Sequence, residues 1–359
     1  VENLVDKNFW QGKKVFLTGH TGFKGGWLSL WLQTLGADVT GFALLPATEP
    51  NLFNYTNSSR GMTSIIGDVR DAAALRTAVH QSQPEIIFHL AAQSLVRYSY
   101  EYPVTTFDTN IMGTVNLLEA VRLTDSVKAV VNITTDKCYA EQPTKNPFHE
   151  NDRLGGRDPY SCSKACVELV TDAYRQSFFQ APVRVGIATA RAGNVIGGGD
   201  WAQDRLVPDI MRASAASHPL QIRYPDAVRP WQFILEPLQG YLLLAKKLFS
   251  QPEIYSQAWN FGPAAEDSKT VRWVTDYLLG LGANEIVKPA YLSASDLPES
   301  NNLQLDSRQA QEKLAWKPRW DLEKALQATF RWYQAARLHP DMREFTLMQI
   351  EEYCHGSHS

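Results

Sequence analysis

Tyr160 and Lys164 stand four residues apart in Tyr160-Ser-Cys-Ser-Lys164, the spacing that puts two side chains on one face of a helix. A lysine cation beside a phenol lowers the phenol's pKa, and the phenolate can then take a proton from a sugar hydroxyl. A surface pair would show the same spacing, so these two residues do not decide the matter alone. A second stretch, Thr18-Gly19-His20-Thr21-Gly22-Phe23-Lys24-Gly25, suits a different task. Its glycines allow a tight turn, close approach of backbone to a pyrophosphate, and close packing of helix on strand. Free N–H groups at the start of the following helix would face the phosphates. An ordinary strand–helix turn shares these glycines. In Gly67-Asp68-Val69-Arg70-Asp71 a carboxylate can accept from an adenine amino group, and Asp71 can also cap a helix. The small side chains of Ala91-Ala92-Gln93 let backbone come close to a cofactor.

These residues need elements to hold them. Strands are predicted at Lys14–Thr18, Asp38–Leu44, Met62–Ile66, Glu85–Leu90, Val127–Thr134 and Val183–Ala190. Helical spacing alternates with them at Gly26–Leu35, at Ala72–Val79, after Pro103 and from Asp158-Pro159, where proline suits a first turn. After Pro103 the residues Ile111, Val115, Leu118 and Val121 share a face. Alternation of this kind implies a parallel sheet covered on both faces, with the ligand crevice at the carboxyl ends of its strands. Beyond Arg191 the texture changes, with Gly197-Gly-Gly-Asp200, Pro208, Pro219, Pro225 and Pro230 breaking the chain. Further helices are predicted at Glu236–Phe249, Thr270–Leu279, Ser307–Leu314 and Asp321–Leu338, the last with Asp321 as N-cap. The expected fold is α/β, a Rossmann-like doubly wound parallel sheet with a smaller, interleaved substrate-binding lobe. Residues 1–193 plus 236–260 form the dinucleotide-binding domain in this reading, and 194–235 plus 261–354 the other lobe.

The composition narrows the classes. A chain of 359 residues favours two lobes over one small domain. A net charge of −3 gives no reason to expect nucleic acid or a membrane surface. No apolar run approaches the roughly 20 residues that span a bilayer, and Val1–Asp6 lacks the layout of a secretory signal. Cys138, Cys162, Cys166 and Cys354 are too few for a disulfide scaffold and lack metal-ligand spacing. Reduced thiols, no metal site and a cytoplasmic setting are expected, and the tail His355-Gly-Ser-His-Ser359 is given no ligand role.

Together and in this order, the glycine turn, the Asp68 segment, Ala91-Ala92-Gln93 and the tyrosine–lysine pair resemble the extended branch of the short-chain dehydrogenase/reductase superfamily. The likeness covers nearly the whole chain. Asn194-Val-Ile-Gly-Gly-Gly-Asp200 and Arg229-Pro-Trp-Gln232 resemble that branch's nucleotide-sugar segments. Thr134-Thr-Asp-Lys-Cys-Tyr139 resembles the nucleotide-sugar 4,6-dehydratases, and the combined motifs are most similar to members acting on CDP-D-glucose. The resemblance implies NAD, held by Gly19, Thr21, Gly22, Phe23, Lys24, Gly25, Asp68, Val69, Ala91, Ala92, Gln93, Tyr160 and Lys164. It implies a nucleotide-sugar substrate held by Ser94, Asn194, Arg229 and Arg308, the last three at the diphosphate. It also implies a lyase acting in deoxysugar biosynthesis, as a homodimer or dimer of dimers. In that reaction Tyr160 takes the 4-hydroxyl proton, Thr135 bonds the same oxygen and hydride leaves C4. Lys164 holds the phenolate and the nicotinamide ribose. Asp136, as a neutral acid, protonates the departing 6-hydroxyl, and hydride returns to C6.

Three features depart from the pattern. Lys137 replaces the glutamate that serves as C5 base in thymidine-sugar relatives; it is the expected base here, or a cation that stabilises the enolate. About 20 residues past the glycines, Leu44-Leu-Pro-Ala-Thr48 offers neither carboxylate nor arginine for the adenosine ribose. His20 and Lys24 sit inside the turn, where they bring charge to the pyrophosphate or, for Lys24, point to water. Rival readings are a dehydratase of GDP-mannose or dTDP-glucose, a nucleotide-sugar 4-epimerase, which needs no acid such as Asp136, and a cofactor-binding regulator, which needs no Thr135–Tyr160–Lys164 set.

Overall fold

The computed structural model describes residues 5–142, 146–180, 185–216, 220–283, 289–292 and 303–356. Six strands follow the first half of the chain: β1 Lys14–Thr18, β2 Asp38–Ala43, β3 Thr63–Ile66, β4 Ile86–His89, β5 Ala129–Ile133 and β6 Gly186–Ala192. Then come β7 Asn194–Ile196, β8 Gln221–Arg223, β9 Val228–Phe233, β10 Ala258–Phe261, β11 Ser268–Thr270 and β12 Ala290–Leu292. The main sheet has seven strands in the order β10-β6-β5-β4-β1-β2-β3, all parallel. Strands β4, β5 and β6 are buried at every position, as central strands covered on both faces must be. The strand order reverses between β1 and β4, where Thr18 lies level with His89. That is the switch point at which such sheets open a crevice. The sixth strand starts at Gly186; Val183 and Arg184, where it was expected to begin, lie outside the described residues.

The helix after the glycine turn runs Phe23–Thr34 and buries Trp27, Leu28, Leu30, Trp31 and Leu32 against the sheet. The helix expected after Pro103 is not continuous. It is α-helical at Pro103–Phe107, makes a π turn at Asp108–Met112, and resumes at Gly113–Arg122. Leu118 and Val121 are buried, but Ile111 and Val115 only half-buried. The turn aims Asn110 inward, where its Nδ2 donates to Ser163 Oγ at 2.8 Å and its Oδ1 accepts from Gln93 N at 2.9 Å. The helix Pro159–Phe178 is capped by Asp158, which accepts from Ser161 N at 2.9 Å.

The second lobe holds a three-stranded sheet, β11-β9-β7, and the pair β12-β8. Leu235–Ser250 returns to the first lobe, and one apolar core runs through it from the main sheet to the helices Leu322–Leu338 and Arg343–His355. Among the described residues no helix is long and apolar enough to cross a membrane.

Candidate active site

A cleft of about 1050 Å³ opens at the carboxyl ends of the strands, between the lobes. Its floor begins at the glycine turn. Gly19 has a φ of +78°, and a Cβ there would sit 2.8 Å from Ala91 N; one on Gly25 would sit 2.1 Å from Gly19 O. Only glycine fits at either place. Gly22 starts the Phe23–Thr34 helix with no side-chain cap, which leaves the first-turn N–H groups to a bound anion. This cradle fits the pyrophosphate of a dinucleotide. Thr21, Gly22, Phe23 and Lys24 line the wall, and Thr21 Oγ1 ties the turn to Leu44 O at 2.8 Å. His20 brings no charge to the site. Its buried ring bonds Ser64 Oγ at 2.7 Å, and burial pushes its pKa down to about 4. Lys24 faces the cleft rather than bulk water; burial, then Arg205 and Lys164, push it down to about 8, against Asp136 and Asp200.

At the edge of the cleft Asp68 accepts from Arg70 Nε at 2.9 Å, and that guanidinium holds its carboxyl below the usual range. Val69 is buried beside it, and Asp71 caps the next helix. Past β4, Thr18 Oγ1 accepts from Leu90 N and Ala91 N, both at 3.1 Å, and pairs with His89 Nδ1 at 2.7 Å. Burial pushes His89 down to about 3, so a neutral ring positions Thr18, which holds the Leu90–Ala91 backbone on the wall beside Ala92. Gln93, expected at the cofactor, turns instead into the loop. Its Nε2 donates to Thr106 Oγ1 at 2.8 Å and to Leu95 O at 3.1 Å. Ser94 does line the cleft and accepts from Arg205 Nη2 at 3.1 Å.

The reactive groups converge beyond β5. Thr135 Oγ1 donates to Asp136 Oδ1 at 3.0 Å and shares a hydrogen bond with the Tyr160 phenol. The other Asp136 oxygen is buried without a partner. A Cβ on Gly193 would come within 3.0 Å of that oxygen, so the missing side chain keeps the space open. Burial raises the Asp136 carboxyl, opposed by Lys137, Thr135, Lys24 and Arg229. A carboxyl raised in this way keeps its proton above the ordinary carboxylate range, which is what a general acid facing a cleft needs. Lys137 lines the cleft, half-buried.

One expectation is corrected here. Lys164 was to lower the phenol's pKa, but its Nζ donates to Ile133 O at 3.1 Å. Burial pushes Tyr160 up to about 12; the opposing influences are the Thr135 bond and the Arg205 charge. Burial also brings Lys164 down to about 8.

Sequence reasoning missed what braces this floor. Glu168 and Arg191 are buried and doubly bonded, at 2.9 and 2.8 Å. Thr189 Oγ1 donates to Glu168 at 2.6 Å, and Arg191 Nη1 donates to the Tyr139 hydroxyl at 2.7 Å. Thr134, just past β5, also donates to Glu168, so the pair rivets β6, the segment after β5 and the tyrosine helix together. Two signals were present: Glu168 lies four residues past Lys164 on the same face, and Arg191 closes an apolar strand. Arg205 was missed as well. Asp200 Oδ2 accepts from it at 2.8 Å and aims it at the cleft. Asn194 and Arg229 line the cleft, with Arg229 Nη1 on Val228 O at 3.1 Å. Arg308, expected at the diphosphate, is instead exposed and forked on Asp306, away from the cleft wall. Among the described residues no cluster of three or more His, Cys, Asp or Glu side chains could hold a metal ion.

The sequence profile of the family described as GDP-mannose 4,6 dehydratase matches residues 16–329. The chain is 48% identical over 356 residues, 98% of each chain, to CDP-glucose 4,6-dehydratase of Salmonella typhimurium. It is 26% identical to dTDP-glucose 4,6-dehydratase of Xanthomonas campestris, over 88% of this chain and 92% of that one. In fold it is similar to an epimerase from Methanothermobacter thermautotrophicus, with a TM-score of 0.82, 22% identity, and 93% and 96% of the two chains covered. It is similar in the same way to dTDP-glucose 4,6-dehydratase from Bacillus anthracis in complex with NAD, with a TM-score of 0.75, 21% identity, and 91% and 98% covered.

Proposed function

This chain belongs to the GDP-mannose 4,6-dehydratase family, and from that premise we propose that it is a hydro-lyase converting CDP-D-glucose to CDP-4-keto-6-deoxy-D-glucose with NAD, in the cytoplasm. The near-full-length likeness to a CDP-glucose 4,6-dehydratase supports the choice of nucleotide. The observation that carries dehydration over epimerisation is Asp136, whose buried carboxyl is raised by desolvation and has one oxygen without a partner. Epimerisation at C4 has no leaving hydroxyl to protonate and no use for such an acid.

NAD held on the glycine turn of Gly19, Gly22 and Gly25 would supply the hydride acceptor for C4 and the donor for C6. In its phenolate form Tyr160 takes the 4-hydroxyl proton while Thr135, hydrogen-bonded to the phenol, holds the same oxygen. The C4 ketone acidifies the C5 hydrogen. Lys137, on the cleft wall beside Asp136, removes that proton as the neutral amine; as a cation it would instead stabilise the enolate while water or Tyr160 takes the proton. Asp136 delivers its own proton to the departing 6-hydroxyl, so water leaves as a neutral molecule. Lys164, its ammonium on Ile133 O, is placed to hold the cofactor ribose. Asn194 and Arg229 hold the nucleotide diphosphate, joined by Arg205, and Ser94 binds the nucleotide sugar. Residues 1–193 plus 236–260 serve the cofactor and 194–235 plus 261–354 the nucleotide sugar. The enzyme works as a homodimer or dimer of dimers, a reading supported by exposed Leu169 and Phe178 on the Tyr160 helix and exposed Val104 and Leu123 on and just past the Pro103–Arg122 run. Incubation of the purified chain with NAD and CDP-glucose, dTDP-glucose or GDP-mannose tests the reading. A 4-keto-6-deoxy product from CDP-glucose is expected; a 4-epimer, or turnover of another nucleotide sugar alone, would overturn it.

A further inference from the structure

The dinucleotide site lacks a reader for the adenosine ribose. In sheets of this topology an acidic side chain just past β2 accepts from the ribose 2′-hydroxyl and selects NAD, whereas a nearby arginine accommodates the 2′-phosphate of NADP. Here β2 ends at Ala43, and the cleft wall continues through Leu44, Leu45, Pro46, Ala47 and Thr48. The bond from Thr21 Oγ1 to Leu44 O ties this segment to the glycine turn, which fixes it beside a dinucleotide lying on that turn. Both leucine side chains remain 56% and 69% exposed. They can neither bond a hydroxyl nor close the space beside it.

The neighbouring charges do not take over the task. Arg70 is forked on Asp68 and does not line the cleft. Lys24 lies within the field of Asp136, Lys164, Arg205 and Asp200, at the catalytic end. Burial keeps His20 neutral. Glu49, the first acid past β2, accepts from Asn51 Nδ2 at 3.1 Å and is separated from the strand by five residues. Among the described residues, none positioned beside this segment therefore favours a hydroxyl over a phosphate, or the reverse.

Resting on the dinucleotide reading above, we propose that Leu44 and Leu45 leave the 2′-position unread, so that the chain binds NAD and NADP with similar affinity. Affinity then comes from the pyrophosphate cradle and the Asp68 segment, which both cofactors engage alike. A carboxylate bonded to a ribose hydroxyl is ordinarily worth about tenfold or more in binding.

The test is direct titration of the purified full-length chain with each oxidised cofactor, without substrate, by calorimetry or tryptophan quenching. A preference of about tenfold or less is expected; a larger preference in either direction overturns the proposal. Leu44→Asp and Leu45→Asp are surface changes, and at least one is expected to shift the ratio about tenfold or more toward NAD, by weakening NADP. If neither shifts it, these positions do not face the ribose and the proposal fails. Glu49→Gln is expected to leave the ratio unchanged, whereas loss of a preference for NAD in that variant would make Glu49 the reader and overturn the assignment. If neither cofactor binds a chain that is folded by circular dichroism, the dinucleotide reading itself falls, a result distinct from unequal binding.

Discussion

Asp136→Asn separates the two halves of the proposed reaction. Asparagine keeps the shape of the side chain, and its carbonyl oxygen can still accept from Thr135, as Asp136 Oδ1 does at 3.0 Å. What disappears is the ionisable proton on the buried oxygen that has no partner. A positioned general acid contributes about 10²–10⁴ in rate, or about 3–5 kcal/mol of barrier, and here that loss falls only on the expulsion of water. Oxidation at C4 uses Tyr160 and Thr135 and is expected to survive. Mixing the variant with CDP-glucose and NAD should therefore build up the absorbance of the reduced cofactor while 4-keto-6-deoxy product forms about 10²–10⁴ more slowly. The pH profile adds a second readout. Burial raises the Asp136 carboxyl, so the acid form persists above the ordinary carboxylate range and wild-type dehydration declines as pH rises through that raised value. The variant lacks this limb. Dehydration within about tenfold of wild type, or no reduced cofactor, would show that Asp136 is not the acid.

Tyr160→Phe removes the phenol oxygen but keeps the ring; turnover should fall about 10²–10⁴ while calorimetry still detects CDP-glucose, and near-normal turnover would place the base elsewhere. Lys137→Met should abolish exchange of the C5 proton with solvent and Lys137→Glu should restore it, as followed by NMR in deuterated water; undiminished exchange in the methionine variant rules out the base role. Glu168→Gln strips the buried Arg191 of its counter-charge, a change that ordinarily costs about 3–5 kcal/mol; denaturant unfolding indistinguishable from wild type would deny the pair its bracing role. Light scattering at micromolar concentration should show a dimer or tetramer that Phe178→Glu dissociates, and a wild-type monomer would contradict pairing through that helix.

The doubly wound sheet was legible because its strands are apolar runs and its helices periodic, two signals that do not depend on distant contacts. The π turn at Asp108–Met112 was not, since the bonds of Asn110 to Gln93 and Ser163 are long-range. The helix Arg343–His355 escaped for another reason. Its buried face includes Thr346, Gln349 and Tyr353, whose polar atoms bond Trp332 Nε1, Ala328 O and Glu236 rather than making an apolar stripe. Strands β7 and β11, three residues each, are too short to show a period. In the site, spacing and resemblance brought Thr135, Asp136, Tyr160 and Lys164 together, but the sign of the Tyr160 shift depends on burial, which no motif displays. The two arginines follow the same logic. Asp306, two residues away, captures Arg308, while Asp200 turns Arg205 into the cleft. Phe179 is buried within its own chain, whereas the adjacent Phe178 is exposed, a difference the sequence pattern does not reveal.

The most direct test of the account is the fate of the C4 hydrogen. The purified chain, supplied with NAD and CDP-glucose deuterated at C4, should yield CDP-4-keto-6-deoxyglucose carrying that deuterium at C6, with no net reduction of the cofactor. Return of the deuterium to C4 in an inverted sugar, or no keto product from CDP-glucose, would contradict it.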